Sequence, residues 1–264
     1  MEVGRRVFLA GAAAPLSRLF GREPDSLPEA PFRSEKGWTP LLNGRDLAFW
    51  RVELGWRGVA GRTNEWFTTA SVSWPGTQPP DRLVAQPEPG GIIVNGIETH
   101  TTNLVTQRKF GDIDLYLEFM LAKGSNSGVY LHGLYEVQVF DSYGATRPPT
   151  YSDGGGIYHR WESGKGFGGF APRSNASRPP GQWQFYRIRF RAPRFAAAGG
   201  KTENAKFDQV IYNGVTVHEN VVCDGPTRSA LEIPEAAANP LMLQGDHGPV
   251  AYRNICFRPL PNRS

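Results

Sequence analysis

The sequence predicts an all-β protein, a sandwich of two antiparallel sheets. Apolar residues recur at every second position in short segments bounded by turn clusters, and no long segment keeps a 3.6-residue apolar period. Gly (31) and Pro (22) together make about a fifth of the 264 residues, as expected where many short strands are joined by turns. No internal repeat is visible. Roughly 230 residues remain after a leader is set aside, enough for one domain with a full core.

The first thirty residues differ from the rest. Arg5-Arg6-Val7-Phe8-Leu9 opens an apolar run, Ala10 to Leu16, that resembles a twin-arginine export leader. The run is too short to span a bilayer. Residues 1–30 are therefore expected to be leader and linker, with the Pro-, Glu- and Arg-rich stretch 22–37 as the linker and a folded domain over 38–260. Export to the periplasm or cell surface follows. The formal charge of +4 is spread along the chain without a Lys/Arg block, which argues against nucleic-acid binding. Cys223 and Cys256 fit one disulfide or two free thiols.

The clearest strand runs from Asp112 to Leu121. Ile113, Leu115, Leu117, Phe119 and Leu121 share one face; Asp112, Asp114, Tyr116, Glu118 and Met120 share the other. A second runs from Gly128 to Asp141, with Val129, Leu131, Tyr135, Val137 and Val139 opposed to Tyr130, His132, Glu136 and Gln138. Lys123 to Gly128 reads as the turn between them. Residues 185–190 form another strand, and Asn213-Gly214 between 209–212 and 215–218 is a strong hairpin signal. Residues 241–244 and 252–258 suggest a last pair. The Gly/Pro-rich stretches 143–181 and 223–240 read as long loops, which are often functional.

If both apolar faces enter the core, Glu118 is expected to share the opposite sheet face with His132, Glu136 and Gln138. Carboxylates, an imidazole and an amide without Lys suit sugar hydroxyls better than plain solvation. Asp141-Ser142-Tyr143 and Gln244-Gly245-Asp246-His247-Gly248 are placed to join that face from loops. Gly154-Gly155-Gly156-Ile157-Tyr158 lacks the Gly-Lys-Ser/Thr of a phosphate loop and reads as backbone that approaches a ligand or strand closely. No Gly-x-Ser-x-Gly, His-Glu-x-x-His or Cys-x-x-Cys site is present. Asp112, Asp114 and Asp246 are the acidic residues from which a calcium site would have to be built.

In order along residues 38 to 260, these pieces resemble the 3-keto-disaccharide hydrolase domain family. The matching stretches include Trp38 to Leu47, Asp114 to Phe119, Asn126-Ser127-Gly128-Val129 and Tyr135-Glu136-Val137-Gln138-Val139 with Asp141. They continue through Gly156-Ile157-Tyr158, Gly181-Gln182-Trp183 and Asn213-Gly214 to Gln244, Asp246-His247-Gly248 and Tyr252 to Ile255. The chain departs from the family's pattern at His132, at the inserted Gly245 and over 192–206. The resemblance implies a concanavalin-like jelly roll and cleavage of glycosides oxidised to a ketone at C3, made by an upstream glycoside 3-oxidoreductase.

Such a ketone acidifies the C2 hydrogen, so deprotonation, elimination of the C1 oxygen and hydration give net hydrolysis. Glu118, Glu136 and His247 are the expected catalytic residues. His132, Gln138, Asp141, Tyr158 and Gln244 are expected to bind the sugar, and a divalent metal ion is a candidate for polarising the ketone. A non-catalytic sugar-binding module stays open, because one fold hosts both roles. A conventional glycosidase would carry Glu-x-Asp-x-x-Glu on one strand, which Asp112 to Glu118 does not match.

Overall fold

The structure, a computed structural model, describes residues 27–53, 63–76, 81–96 and 101–261. The twin-arginine-like run lies outside the described residues. Among the described residues one short helix, α1 (Pro31–Ser34), precedes seventeen strands. They are β1 (Thr39–Pro40), β2 (Trp50–Glu53), β3 (Phe67–Thr69), β4 (Ile92–Val94), β5 (Asn103–Phe110) and β6 (Ile113–Leu121). Next come β7 (Asn126–Leu131), β8 (Tyr135–Phe140), β9 (Arg160–Glu162), β10 (Lys165–Phe167), β11 (Gln184–Arg191) and β12 (Arg194–Phe195). The chain ends with β13 (Lys201–Glu203), β14 (Ala205–Tyr212), β15 (Val215–Cys223), β16 (Asn239–Leu243) and β17 (Val250–Pro259).

Two antiparallel sheets form the sandwich. The larger runs β15-β14-β11-β6-β17-β4-β3, with β1 on the C-terminal half of β17; the smaller runs β2-β5-β16-β7-β8. Ile113, Leu115, Leu117, Phe119 and Leu121 of β6 meet Val129 and Leu131 of β7 and Tyr135, Val137 and Val139 of β8 in one buried core. The all-β jelly-roll sandwich expected from the sequence is the fold observed. Asn213 (φ 49°) and Gly214 (φ 88°) make the tight turn between β14 and β15.

Three strand readings need correction. Residues 128–141 are not one strand but the β7–β8 hairpin, turned at His132 (φ 58°) and Gly133 (φ 66°). Leu131 pairs with Tyr135, so the two strands keep the face assignment of a single strand. The 122–125 turn, closed by the Ser125 N–H on the Ala122 carbonyl (3.2 Å), does not join neighbours. It carries the chain from the larger sheet to the smaller. β16 and β17 likewise lie in different sheets.

The segment before Trp38 also packs, where the sequence reads as linker. Leu27, Ala30, Phe32 and Trp38 cover Tyr116 and Phe185 on the outer face of the larger sheet. Glu35 joins Arg187 (2.9 Å) and Arg258 (2.7 Å), and both arginines clasp Asp114 (2.9 Å each), whose side chain is fully buried. Trp38 lies under the two guanidinium groups. This network ties β11, β6 and β17 to the N-terminal segment. Cys223 and Cys256 are buried free thiols.

Asp114→Ala leaves the two arginines facing each other without their central anion. A loss of about 3 kcal/mol in unfolding free energy is expected, read by urea denaturation; breaking a buried ion pair from one side is strongly destabilising.

Candidate active site

The outer face of the smaller sheet carries the site. Because Val129, Val137 and Leu243 turn into the core, Gly128, Tyr130, Glu136, Gln138, Met242 and Gln244 turn outward. Register fixes two rows. In the first, Tyr130 pairs with both Glu136 and Met242, and Met242 pairs with Val105. In the second, Gly128 pairs with Gln138, and the Gln244 N–H donates to the Gly128 carbonyl (2.9 Å). Asn126 lies two residues further along the same face of β7.

Glycine at 128 is required by packing. A Cβ there would stand 2.2 Å from Glu136 Oε1 and 2.8 Å from Tyr130 Cε2. The Glu136 carboxyl leans across this gap toward the second row.

The two rows differ in chemistry. Tyr130, Met242 and Val105 are covered by Leu231 as a small apolar cluster. Across from it, Gln138 Oε1, Gln244 Oε1 and Asn126 Oδ1 are buried and meet no donor among the described residues. Buried acceptors are almost always paired, so three orphans on one face mark a place built for a donor-bearing ligand.

Glu136 is only 2% exposed and has no ion-pair partner among the described residues. Burial pushes its pKa up to about 8; the Tyr130 hydroxyl opposes that shift and the nearby Asp246 adds to it. Tyr158 continues the sheet past β8, its N–H donating to the Glu136 carbonyl (3.1 Å). Burial, then the neighbouring Glu136, raise the pKa of Tyr158, so its hydroxyl stays a donor. The expected close backbone approach around Gly154–Gly156 is here: Gly155 N–H donates to the Gln138 carbonyl (2.9 Å) and Gln138 N–H to that of Gly156 (2.8 Å). Thr227 adds to this edge by accepting the Glu136 N–H (3.1 Å) on Oγ1.

At the far end of the second row, buried Asp246 holds the half-exposed His247 ring, Oδ1 to Nδ1 2.6 Å. A carboxylate can only accept, so Nδ1 carries the proton and Nε2 faces outward.

The structure therefore gathers Glu136, Gln138, Tyr158 and Gln244, with His247 attached through Asp246. It does not bring Glu118, His132 or Asp141 to them. Glu118 does turn away from the core as expected, but β6 belongs to the other sheet, so it lies on the opposite outside of the sandwich. There Tyr116 (3.0 Å), Arg253 (2.6 Å) and Asn254 (3.0 Å) all donate to its carboxylate. His132 is turned inward by the hairpin. Its ring packs on Phe190 (5.1 Å) and burial lowers its pKa to about 4, so it is a neutral packing residue. Asp141 accepts the Gly124 (2.8 Å) and Tyr143 (3.3 Å) N–H groups and fixes the sheet-crossing turn.

Tyr130 and Asn126 join the site without having been assigned roles from the sequence, and Asp246 joins it as the partner of His247 rather than with Asp112 and Asp114 in a calcium site. Tyr130 and Asn126 share the parity that exposes Glu136. Asp246 is legible as the acidic neighbour of His247. Asp112 and Asp114 are each paired with arginines, and no group of three or more His, Cys, Asp or Glu among the described residues could hold a metal ion. The donors that a cation would find here are carboxamide oxygens and Asp246.

The family profile described as the 3-keto-alpha-glucoside-1,2-lyase-like domain matches residues 37–258. The chain belongs to this family. Membership agrees with the resemblance carried by the Tyr135–Val139 and Gln244–Gly248 motifs, which are the ones that build this face. A crystal structure of a candidate glycosyl hydrolase from Parabacteroides distasonis ATCC 8503 is similar at 26% identity, with a TM-score of 0.59 over 85% of this chain and 84% of that one. A second from the same organism shares the fold at 16% identity and a TM-score of 0.52, over 90% and 99% of the two chains. No curated protein matches. Together with the family, the first of these likenesses supports a carbohydrate-active, glycoside-acting enzyme.

The Glu136 carboxyl titrates near 4.5 in the unfolded chain and about 8 in the folded one. Between those values the folded state keeps a proton that the unfolded state has lost, so stability falls as pH rises through that window and levels off above it. Glu136→Gln, neutral throughout, should lack this slope. Urea midpoints of the two proteins, compared between about pH 5 and 9, check it.

Proposed function

We propose that this enzyme cleaves glycosides whose C3 carbon is already a ketone, with Glu136 as the base that removes the C2 proton. The observation that carries the proposal is a buried carboxyl with a pKa of about 8, unneutralised by any cation among the described residues and set beside three orphaned carboxamide oxygens. The oxygens suit sugar hydroxyl donors. The raised pKa makes the ionised carboxyl a stronger base near neutral pH than an ordinary glutamate.

C2 lies between C1 and C3 in the sugar ring, so the groups serving those carbons must flank the base. Two such flanks exist. On the β16 side, Asp246 holds the His247 ring through Nδ1–H; in its imidazolium form the ring carries a second proton on Nε2, placed to be donated to the C3 oxygen as it gains charge. On the β8 side, where residues 155–158 pair along the strand's outer edge, the neutral Tyr158 hydroxyl is placed to hydrogen-bond the departing C1 oxygen.

The step balances with one water. Glu136 takes the C2 proton, the electron pair passes through the enolate to form C1=C2, and the C1–O bond breaks. Water protonates the departing oxygen and its hydroxide adds to C1, while Glu136 returns its proton to C2. The net products are a 3-keto sugar and an alcohol. A substrate of this kind requires an oxidation at C3 to supply it, which fits an upstream glycoside 3-oxidoreductase. The twin-arginine-like N-terminus supports export, placing the reaction in the periplasm or at the cell surface.

Glu136→Gln should lower kcat on a 3-keto-glucoside about 10³-fold, the scale of a lost general base. In the unaltered enzyme kcat/KM should rise through pH 8 as the carboxyl ionises. Binding of the keto-glucoside without turnover would overturn the proposal in favour of a sugar-binding module. Equal activity on the unoxidised glucoside would overturn it in favour of a conventional glycosidase.

A further inference from the structure

After pairing along the edge of β8 over residues 155–158, the chain runs into an excursion that holds the β9–β10 hairpin. Trp161 (48% exposed), Phe167 and Phe170 are exposed large aromatic side chains on this excursion, alongside the edge strand that bears Glu136. The Arg228 guanidinium lies 4.0 Å above the Trp161 ring. Neither an ion pair nor a side-chain hydrogen bond holds that guanidinium among the described residues.

Arg228 is anchored on the same face as Glu136. Its carbonyl accepts the Tyr130 hydroxyl (3.2 Å), and its N–H donates to the His159 carbonyl (2.8 Å). Its charge is felt at Tyr158, where it pulls against the effect of burial. Beside the residue assigned to the departing oxygen there is thus a flat, half-exposed indole capped by a cation with no ion-pair partner among the described residues.

We infer that the Trp161–Arg228 stack is the subsite for the leaving group, and that it selects planar aromatic aglycones such as phenols. This rests on the reading of Glu136 as the base of a keto-glycoside-cleaving site. With C2 over Glu136 and C3 toward His247, C1 and its substituent point over the edge of β8, toward Tyr158 and the excursion. A sugar leaving group brings hydroxyls that ask for several polar partners. An aryl ring instead stacks on indole and guanidinium faces, and its phenolate oxygen departs beside a positive charge.

The test compares phenyl and methyl 3-keto-β-glucosides as substrates. Trp161→Ala should raise KM for the phenyl substrate about tenfold relative to the methyl one, and Trp161→Phe, which keeps a flat ring, should restore most of the difference. A ratio unmoved by Trp161→Ala, with Trp161→Phe unmoved as well, overturns the subsite. If the unaltered enzyme turns over neither ketone, the reading of Glu136 fails, and phenyl β-glucoside binding by calorimetry decides the shelf separately. Binding lost in Trp161→Ala and kept in Trp161→Phe supports it; equal binding by all three proteins sinks it.

Discussion

The core between the two sheets sets the parity of every central strand, and the placement of polar residues follows from that parity. Once Val129, Val137 and Leu243 are committed inward, Tyr130, Glu136, Gln138 and Gln244 must face outward. A one-residue slip would exchange the sets, burying carboxyl and amide groups in the sandwich and exposing its apolar core. The hairpin turn obeys the same constraint: three residues between the paired Leu131 and Tyr135 leave both facing the core. The site's two rows therefore need no support beyond the packing that stabilises the fold.

On this rigid lattice the electrostatics of Glu136 come from what the face omits. Glu118 and Asp114 are buried with arginines close by, and the half-buried Asp112 is paired the same way. Glu136 is as deeply buried, and Asp246 is its nearby charge. Gly128 is needed for the same end, because a side chain there would displace the carboxyl that leans over it. Tyr130 and the Leu231 cover keep water off the apolar half of the face, which maintains the desolvation. The site thus stores free energy in an unfavourable ionisation, at the expense of stability above acidic pH.

Much of this was legible in the chain because alternation in β6, β7 and β8 is nearly perfect. Outward residues could be named without a structure, and Glu136, Gln138 and Gln244 were. What alternation cannot state is the sheet to which a strand belongs. The Ala122–Ser125 turn looks like a hairpin connection by composition, yet β6 finds partners in β11 and β17 while β7 finds them in β8 and β16. Glu118 was separated from Glu136 by that topology, a non-local property. His132 failed for a local reason: a positive φ at a non-glycine residue ended the strand and turned the ring inward, where Phe190 receives it. Asp141 was misread because a carboxylate at a strand end serves equally well as a turn acceptor, and two backbone N–H groups claimed it. The docking of Phe32 and Glu35 was hidden because their partners Tyr116, Arg187 and Arg258 lie far along the chain.

The remaining question is why the face should act rather than merely bind. A sugar-binding surface needs hydroxyl donors and acceptors and an exposed aromatic ring, and Gln138, Gln244 and Trp161 would suffice. It gains nothing from a buried carboxyl whose proton is held to about pH 8; a protonated acid there is no better a hydroxyl partner than another glutamine, and its ionisation destabilises the fold. A proton-transfer centre does gain from it, because rate follows the match between the pKa of the base and the working pH. The surroundings fit that use. Asp246 reinforces the shift while it also holds the His247 ring by Nδ1, so one residue acts on the Glu136 carboxyl and orients the imidazole near it. Such coupling is costly for binding alone and useful for removing a proton from carbon while charge builds on a neighbouring oxygen.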